Sequence, residues 1–354
     1  HVSRLTCLSL SHPTRMVVLF PPFPWARSVQ YYLSMLSTDS FYYLNTNAMN
    51  NAQQKIIPHL WFDDQAEEAA NFYTSLFDNS NIGTTTRYGK EGYEIHGQPE
   101  GKVMTVEFEL AGHKFVGLNG GPHFTFTPAI SFHVVCEAEA ELDELWGKFS
   151  EGGSVLMELD QYDWSEKYGW VQDRFGLSWQ LSLGSLKDVD GQKITPSLMY
   201  VSESGQAEEA VEFYTSAFSG SRITGIHHYG PEEGQPEGSV AHAQFTLNNQ
   251  VFMAMDSSPK HADFTFNEAI SLLINCESQE ELDYFWSVLT EGGDPKAQQC
   301  GWLKDQFGVS WQVHPAVLSE MLLDSDQEKV NRVTKAFLQM KKFDIQQLQE
   351  AFEG

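Results

Sequence analysis

The sequence predicts an α+β protein: two tandem copies of one domain, each copy two paired βαβββ modules, followed by C-terminal helices. Two observations carry this. Long blocks of sequence recur at offsets of 141, 137, 140 and 132 residues, and a fixed-period repeat sets the architecture before any single element is assigned. Within each copy, strand-like alternation and helix-like spacing follow one another in the same order.

The recurrences are long. QAEEAANFYTSLF (65–77) returns as QAEEAVEFYTSAF (206–218), ELDELW (141–146) as ELDYFW (281–286), and GWVQDRFGLSWQ (169–180) as GWLKDQFGVSWQ (301–312). The first copy is assigned to 49–184, a short turn-rich linker to 185–192, the second copy to 193–316 and a helical extension to 317–354. Residues 1–48 stand apart. They hold Arg4, Arg15 and Arg27 against Asp39 alone, and Pro21, Pro22 and Pro24 interrupt their apolar run, which suits neither a helix nor a signal-peptide core. They are read as a disordered or non-native leader, with a targeting presequence as the alternative.

In copy one the pattern predicts a strand at 56–62 and then a helix over 66–77, whose apolar Ala66, Ala69, Ala70, Tyr73 and Phe77 share one side. Strands follow near 82–88, 103–110 and 114–119. The clearest is VMTVEFEL (103–110), where Met104, Val106, Phe108 and Leu110 alternate with Thr105, Glu107 and Glu109, so one face packs on helices and the other is polar. A second module repeats the order: a strand at 129–136, a helix at 139–150, and strands near 153–157, 168–173 and 178–183. Four strands with one helix cannot close alone, so two modules are expected to pair into a curved sheet enclosing a cavity. In the extension, Leu318, Leu322, Val330, Val333, Phe337, Leu338 and Met340 predict one or two docked helices.

Composition narrows the function. With 22 Lys+Arg against 48 Asp+Glu the net charge is −26, which repels phosphate backbones and argues against nucleic acid. Cys7, Cys136, Cys276 and Cys300 form no close pair, so a disulfide framework is not expected and a reducing, cytoplasmic setting is. No uninterrupted apolar run reaches the roughly 18 residues of a membrane span.

The paired βαβββ order, the FYTSLF helix end, the GGPHFTF turn, the DRFGLSWQ closing strand and the tail LSEMLLDSDQEKVNRVTKAFLQMKKFDIQQL (318–348) resemble the vicinal oxygen chelate (glyoxalase/bleomycin-resistance) superfamily. The closer likeness is to its PhnB-like branch, labelled 3-demethylubiquinone-9 3-methyltransferase. The resemblance implies tandem glyoxalase-like domains with curved open-barrel sheets, and a divalent metal held on the inner face by His, Glu or Gln. Carried onto this chain, the implied ligand positions fall on His59 and Ser197, near Gly117 and Ala254, on Ser131 and Ser271, and on Gln180 and Gln312. Only His59 and Gln180 can coordinate a metal well, fewer than the three ligands a catalytic ion takes, so no cofactor is expected. The label's methyl transfer finds no glycine-rich nucleotide loop to support it.

Strand alternation offers a displaced set in copy one, His59, Glu107, His133 and Gln180, as the alternative metal site. The candidate ligand-binding residues are His59, Trp61, Glu107, Phe115, Asn119, His133, Gln180, His242 and Gln312. Phe115, Trp61 and Phe252 are expected as apolar walls, with a nearby carboxylate favouring a protonated histidine. The expected function is binding of a small oxygenated or aromatic molecule without the superfamily metal. The alternatives are a metal-dependent lyase, isomerase or dioxygenase, or an assembly role in which the internal pseudo-dimer of copies supports further oligomerisation. Whether a reaction is catalysed stays open at this level. Copy one is expected to be the better recognition half, and Cys300, near the mouth of the second cavity, is a candidate reactive thiol.

Overall fold

The computed structural model describes residues 54–354, apart from 232–234 and 261–263. The expected leader at 1–48 lies outside the described residues. Four modules follow in chain order. The first holds β1 (Ile56–Phe62), α1 (Ala66–Thr74), β2 (Asn81–Arg87), a short α2 (Tyr93–His96), β3 (Val103–Leu110) and β4 (His113–Asn119). The second holds β5 (Ile130–Cys136), α3 (Glu139–Ser150), β6 (Ser154–Tyr162), β7 (Ser165–Gln172) and β8 (Ser178–Leu183). The third holds β9 (Ile194–Val201), α4 (Ala207–Ala217), β10 (Arg222–His228), β11 (Val240–Leu247) and β12 (Gln250–Ser257). The fourth holds β13 (Ile270–Cys276), α5 (Gln279–Thr290), β14 (Trp302–Lys304) and β15 (Ser310–Pro315).

The modules build two open sheets, and each sheet draws on both copies. One runs β14-β15-β13-β1-β4-β3-β2 and joins the first module to the fourth; the other runs β10-β11-β12-β9-β5-β8-β7-β6 and joins the third to the second. The seams are antiparallel, with His59 opposite Ser271 in one sheet and Ser131 opposite Ser197 in the other. The sheet pairing expected within a copy is therefore replaced by pairing across copies. Alternation could not show this, because β5 (ISFHVVC) and β13 (ISLLINC) are near-duplicates and β1 meets an equivalent edge in either.

The helix-side cores, by contrast, lie mostly within each copy, with Ile56 reaching into the second core and Ile194 and Ile270 into the first. Ala66, Ala69, Ala70 and Tyr73 of α1 and Leu142, Leu145 and Phe149 of α3 bury with Phe108, Phe132 and Trp179. An equivalent cluster gathers Tyr214, Leu282, Phe285, Leu289 and Trp311. Each core is pinned by one buried carboxylate from the DxFGxSW loop. Asp173 Oδ2 accepts from Tyr73 Oη at 2.7 Å and Trp179 Nε1 at 2.9 Å, while Oδ1 accepts from the Phe175 and Leu177 backbone N–H groups. Asp305 does the same for Tyr214 and Trp311, at 2.6 and 2.8 Å. These bonds satisfy polar groups that burial would otherwise penalise.

The extension forms three helices, one more than expected: α6 (Ala316–Leu322), α7 (Gln327–Phe337) and α8 (Ile345–Glu353). Asp326 caps α7 and Asp344 caps α8, as short acidic N-caps do. Leu318, Met321, Val333, Phe343 and Leu348 are buried in the copy-two core. Between α7 and α8 the chain pairs with the start of β14: Met340 and Lys341 carbonyls accept from Cys300 and Gly301 N–H groups at 2.8 Å each. In copy one that edge is covered instead by the long β6, paired to β7.

Candidate functional site

Each sheet turns one face to its helices and the other inward, and the inward faces carry the candidate chemistry. In the first sheet one row runs Glu107, Val116, His59, Ser271, Ser310, Lys304 across β3, β4, β1, β13, β15 and β14. A second places Trp302 beside Gln312 and Leu273. An inward face in solvent would be wet, yet His59 is 6% exposed, Gln312 2%, Ser271 and Ser310 0%. The face is covered by its own side chains, which lean together across the strands. In a flat sheet β1 and β14 would lie about 14 Å apart, but the His59 and Trp302 ring centroids are 6.0 Å apart and those of Trp61 and Trp302 6.2 Å.

On this face, burial pulls the His59 imidazole down to about 3, with His314 a smaller contribution. His314 is likewise held down, to about 4, by burial. Both rings are neutral at physiological pH, because taking the charged form out of water costs more than any partner here returns. The expected protonated histidine is therefore corrected: Glu107 is solvent-exposed at the outer end of its row and does not hold charge on His59. His59 Nδ1, His314 Nε2 and Ser310 Oγ are buried and find no partner among the described residues. Gln312 is committed, donating Nε2 to Ser271 Oγ at 2.9 Å.

The second face carries Ser197 and Met199 on β9, His242 and Gln244 on β11, His133 on β5 and Gln180 on β8. Here Tyr168 Oη donates to Gln180 Oε1 at 2.8 Å, and Gln180 Nε2 donates to Ser131 Oγ at 2.7 Å. Burial pulls His133 down to about 4, with His242 contributing; His242 itself is solvent-exposed and lies opposite His227 in the strand pair. His133 Nδ1 and Ser197 Oγ have no protein partner. The 185–192 linker closes one end: Leu186 and Val189 pack on Val135 and Met253, and Gln192 bonds both backbone groups of Val251.

Several of the candidates expected from strand alternation lie elsewhere in this geometry. Phe115 is on the helix side, stacked on Phe108 at 5.6 Å and edge-on to Phe132 at 5.2 Å, and Phe252 is likewise in the helix-side core. Asn119 is buried beneath α1, where Oδ1 accepts from Ala66 N at 2.9 Å. Gly117 also faces α1, since a Cβ there would meet Ala66 Cβ at 3.2 Å. His59, Trp61 and Gln312 share the first face; His133, Gln180 and His242 share the second. The set His59, Glu107, His133, Gln180 is thus divided between two sheets and does not converge. Strand parity alone would have found Trp302, which sits opposite Gln312 in register.

A divalent ion of the kind the fold family uses would need about three good ligands. Among the described residues no three His, Cys, Asp or Glu side chains gather, and the first face offers two inward imidazoles, His59 and His314, beside a carboxamide already bonded to a serine. That donor set does not fit such an ion. Cys300 has its thiol raised by burial and its Sγ directed at the Leu338 carbonyl, which is opposite to the lowered pKa of a reactive thiol.

Comparison with known proteins agrees with this architecture. The model of the family described as 3-demethylubiquinone-9 3-methyltransferase matches residues 54–182 and again 192–314. A putative 3-demethylubiquinone-9 3-methyltransferase, PhnB protein, from Bacillus cereus is 44% identical over 37% of this chain and all of its own, with a TM-score of 0.34. An uncharacterized protein of Mycobacterium bovis, Mb0911c, is 28% identical over 37% of this chain and 84% of its own length. A glyoxalase I mutant from Zea mays covers 75% of this chain and 94% of its own at 12% identity and a TM-score of 0.50, a likeness of fold alone. With a match in each copy and the two-sheet glyoxalase-like architecture, the chain belongs to the PhnB-like, 3-demethylubiquinone-9 3-methyltransferase-described family as a tandem, internally pseudo-dimeric member.

Proposed function

We propose that the protein binds a small, uncharged aromatic molecule bearing a hydroxyl or other oxygen group, on the inward face built by β1 and its neighbours, without a metal. The observation that carries this is His59: a buried, neutral imidazole whose Nδ1 has no partner among the described residues, set edge-on to the Trp302 ring, which in turn lies edge-on to Trp61. An unsatisfied buried nitrogen costs about 1–3 kcal/mol, and a ligand hydroxyl returns it. Indole walls supply apolar area for a flat ring. A carboxylate ligand is disfavoured, since both imidazoles are neutral and Lys304, the cation at the end of the His59 row, is paired with Glu268 at 2.8 Å. A cytoplasmic location and the absence of nucleic-acid partners, suggested by cysteine usage and charge, belong to the same reading. Among the described residues no helix is long and apolar enough to cross a membrane.

The test is calorimetric titration with 2-naphthol, a neutral hydroxylated aromatic, alongside its anionic relative 2-naphthoate. Saturable 2-naphthol binding that weakens at least about tenfold in His59→Ala, about 1.4 kcal/mol, supports the reading. Preference for 2-naphthoate overturns the uncharged-ligand part. Near-stoichiometric Zn, Ni, Mn or Fe in protein purified without chelators, lost in His59→Ala, overturns the metal-free part.

A further inference from the structure

Trp170 and Trp302 occupy the same place in the two halves of the molecule. Each belongs to a GWxx strand and lies opposite the inward glutamine, Gln180 or Gln312. Each glutamine holds the same serine on the neighbouring strand. Two residues before each glutamine stands a fully buried serine, Ser178 or Ser310. The frames match, but the indoles do not. Trp170 donates its Nε1–H to Ser178 Oγ at 2.7 Å. Trp302 makes no such bond, Ser310 Oγ is left without a protein partner, and the indole lies edge-on to His59 and Trp61 instead.

The structure assigns Trp302 as the gate of the first face, with two seats: an inward seat against His59 and Trp61, and an outward seat in which its Nε1–H donates to Ser310 Oγ. The second face displays the outward seat in Trp170. It also shows why the inward one is absent there, because the counterparts of His59 and Trp61 are Ser197 and Met199, which give an indole no aromatic edge. In the first face, two edge contacts compete with one hydrogen bond to a buried hydroxyl, interactions of comparable size, so neither seat dominates by a wide margin. A planar ligand takes the inward seat and displaces the indole onto Ser310. The outward seat thereby satisfies Ser310 Oγ in the same movement that opens His59 Nδ1.

This assignment rests on the first face being the ligand site, and its test is separable from that reading. Indole N–H signals are recorded by 1H–15N NMR on the full chain, with those of Trp302 and Trp170 identified by their loss in Trp302→Phe and Trp170→Phe. Without any ligand, the double variant His59→Ser, Trp61→Met should move the Trp302 signal to a hydrogen-bonded, exchange-protected position like that of Trp170. Adding Ser310→Ala should move it back, as Ser178→Ala does for Trp170. A Trp302 signal unmoved in the double variant overturns the gate. With 2-naphthol, a shift of Trp302 toward the protected position, and binding weakened about fivefold by Ser310→Ala, support it. Saturable 2-naphthol binding with Trp302 unmoved overturns the gate and leaves the ligand reading standing. No binding, with the Ser310-dependent shift in the double variant, supports the gate and overturns the ligand reading.

Discussion

The two inward faces share one backbone plan and one glutamine–serine–tryptophan frame, and differ in the side chains set around it. The first has His59, Trp61, Thr105, Leu273 and His314; the second has Ser197, Met199, His242, His133 and Ser182 at the same places. Each face carries a histidine pair, but from different strands. Counted by copy, His59, Glu107 and His133 make copy one the richer half. Counted by face, that advantage disappears, because His133 and His59 belong to different sheets. Each inward face is built by a first module of one copy joined to a second module of the other, whereas helix-side packing lies mostly within a copy. The borders differ too: the first face ends at β14 against residues 340–341, the second at the long β6–β7 hairpin.

The largest expected effect comes from the border. Truncation after Pro315 removes Leu318, Met321, Val333, Phe343 and Leu348 from the core, at about 1.5–3 kcal/mol for each buried side chain. It should lower the melting temperature sharply and, in hydrogen exchange, deprotect β14 and β15 before β7 and β8. Equal loss of protection in both sheets would show that the extension does not distinguish the faces.

Next come the two cores, where the halves should behave alike. Asp173→Ala strands a tyrosine hydroxyl, an indole N–H and two backbone N–H groups, and Asp305→Ala strands their counterparts. Each should cost about 3–5 kcal/mol in denaturant unfolding, since several buried donors lose their acceptor. A difference of more than about 2 kcal/mol between the two would break the equivalence of the cores.

Acid sensitivity is expected from both faces. His59, His314 and His133 are lowered to about 3, 4 and 4 from 6.5, so the folded state favours their neutral forms. Their stability contribution is complete above the unfolded value near 6.5 and is lost as the pH falls toward the folded values. The loss is about 1.4 kcal/mol per pH unit for each ring that protonates only on unfolding. His59→Gln and His133→Gln should each flatten the stability curve between pH 6 and about 4. An unchanged slope in one of them would mean that its imidazole is reached by water.

The smallest effect concerns Glu107. It lies in the same row as His59, but solvent-exposed and two strands away, so Glu107→Ala should change stability by less than about 0.5 kcal/mol and 2-naphthol affinity by less than about threefold. A tenfold loss would restore Glu107 to the site and make the first face more acidic in function than its geometry indicates.

By itself the sequence determined the repeat, the order of strands and helices within each module, and, for most strands, the side that meets the helices. VMTVEFEL alternates over 103–110 as expected, and Trp179 and Trp311 bury against helices, because period-2 and period-3.6 patterns are local records of burial. The pattern also found His59 and Trp61, whose parity places them inward. It failed where parity was taken one residue wrong, as at Phe115 and Asn119, which pack and cap the helix side. Tertiary structure alone decided which module pairs with which, since β5 and β13 offer β1 nearly the same edge, and only the whole chain's closure chooses between them. That choice separates His59 from His133 and brings His59 to Trp302. It also decided the charge state of the histidines, because desolvation depends on which side chains come together over the inward face, a property no window of sequence contains.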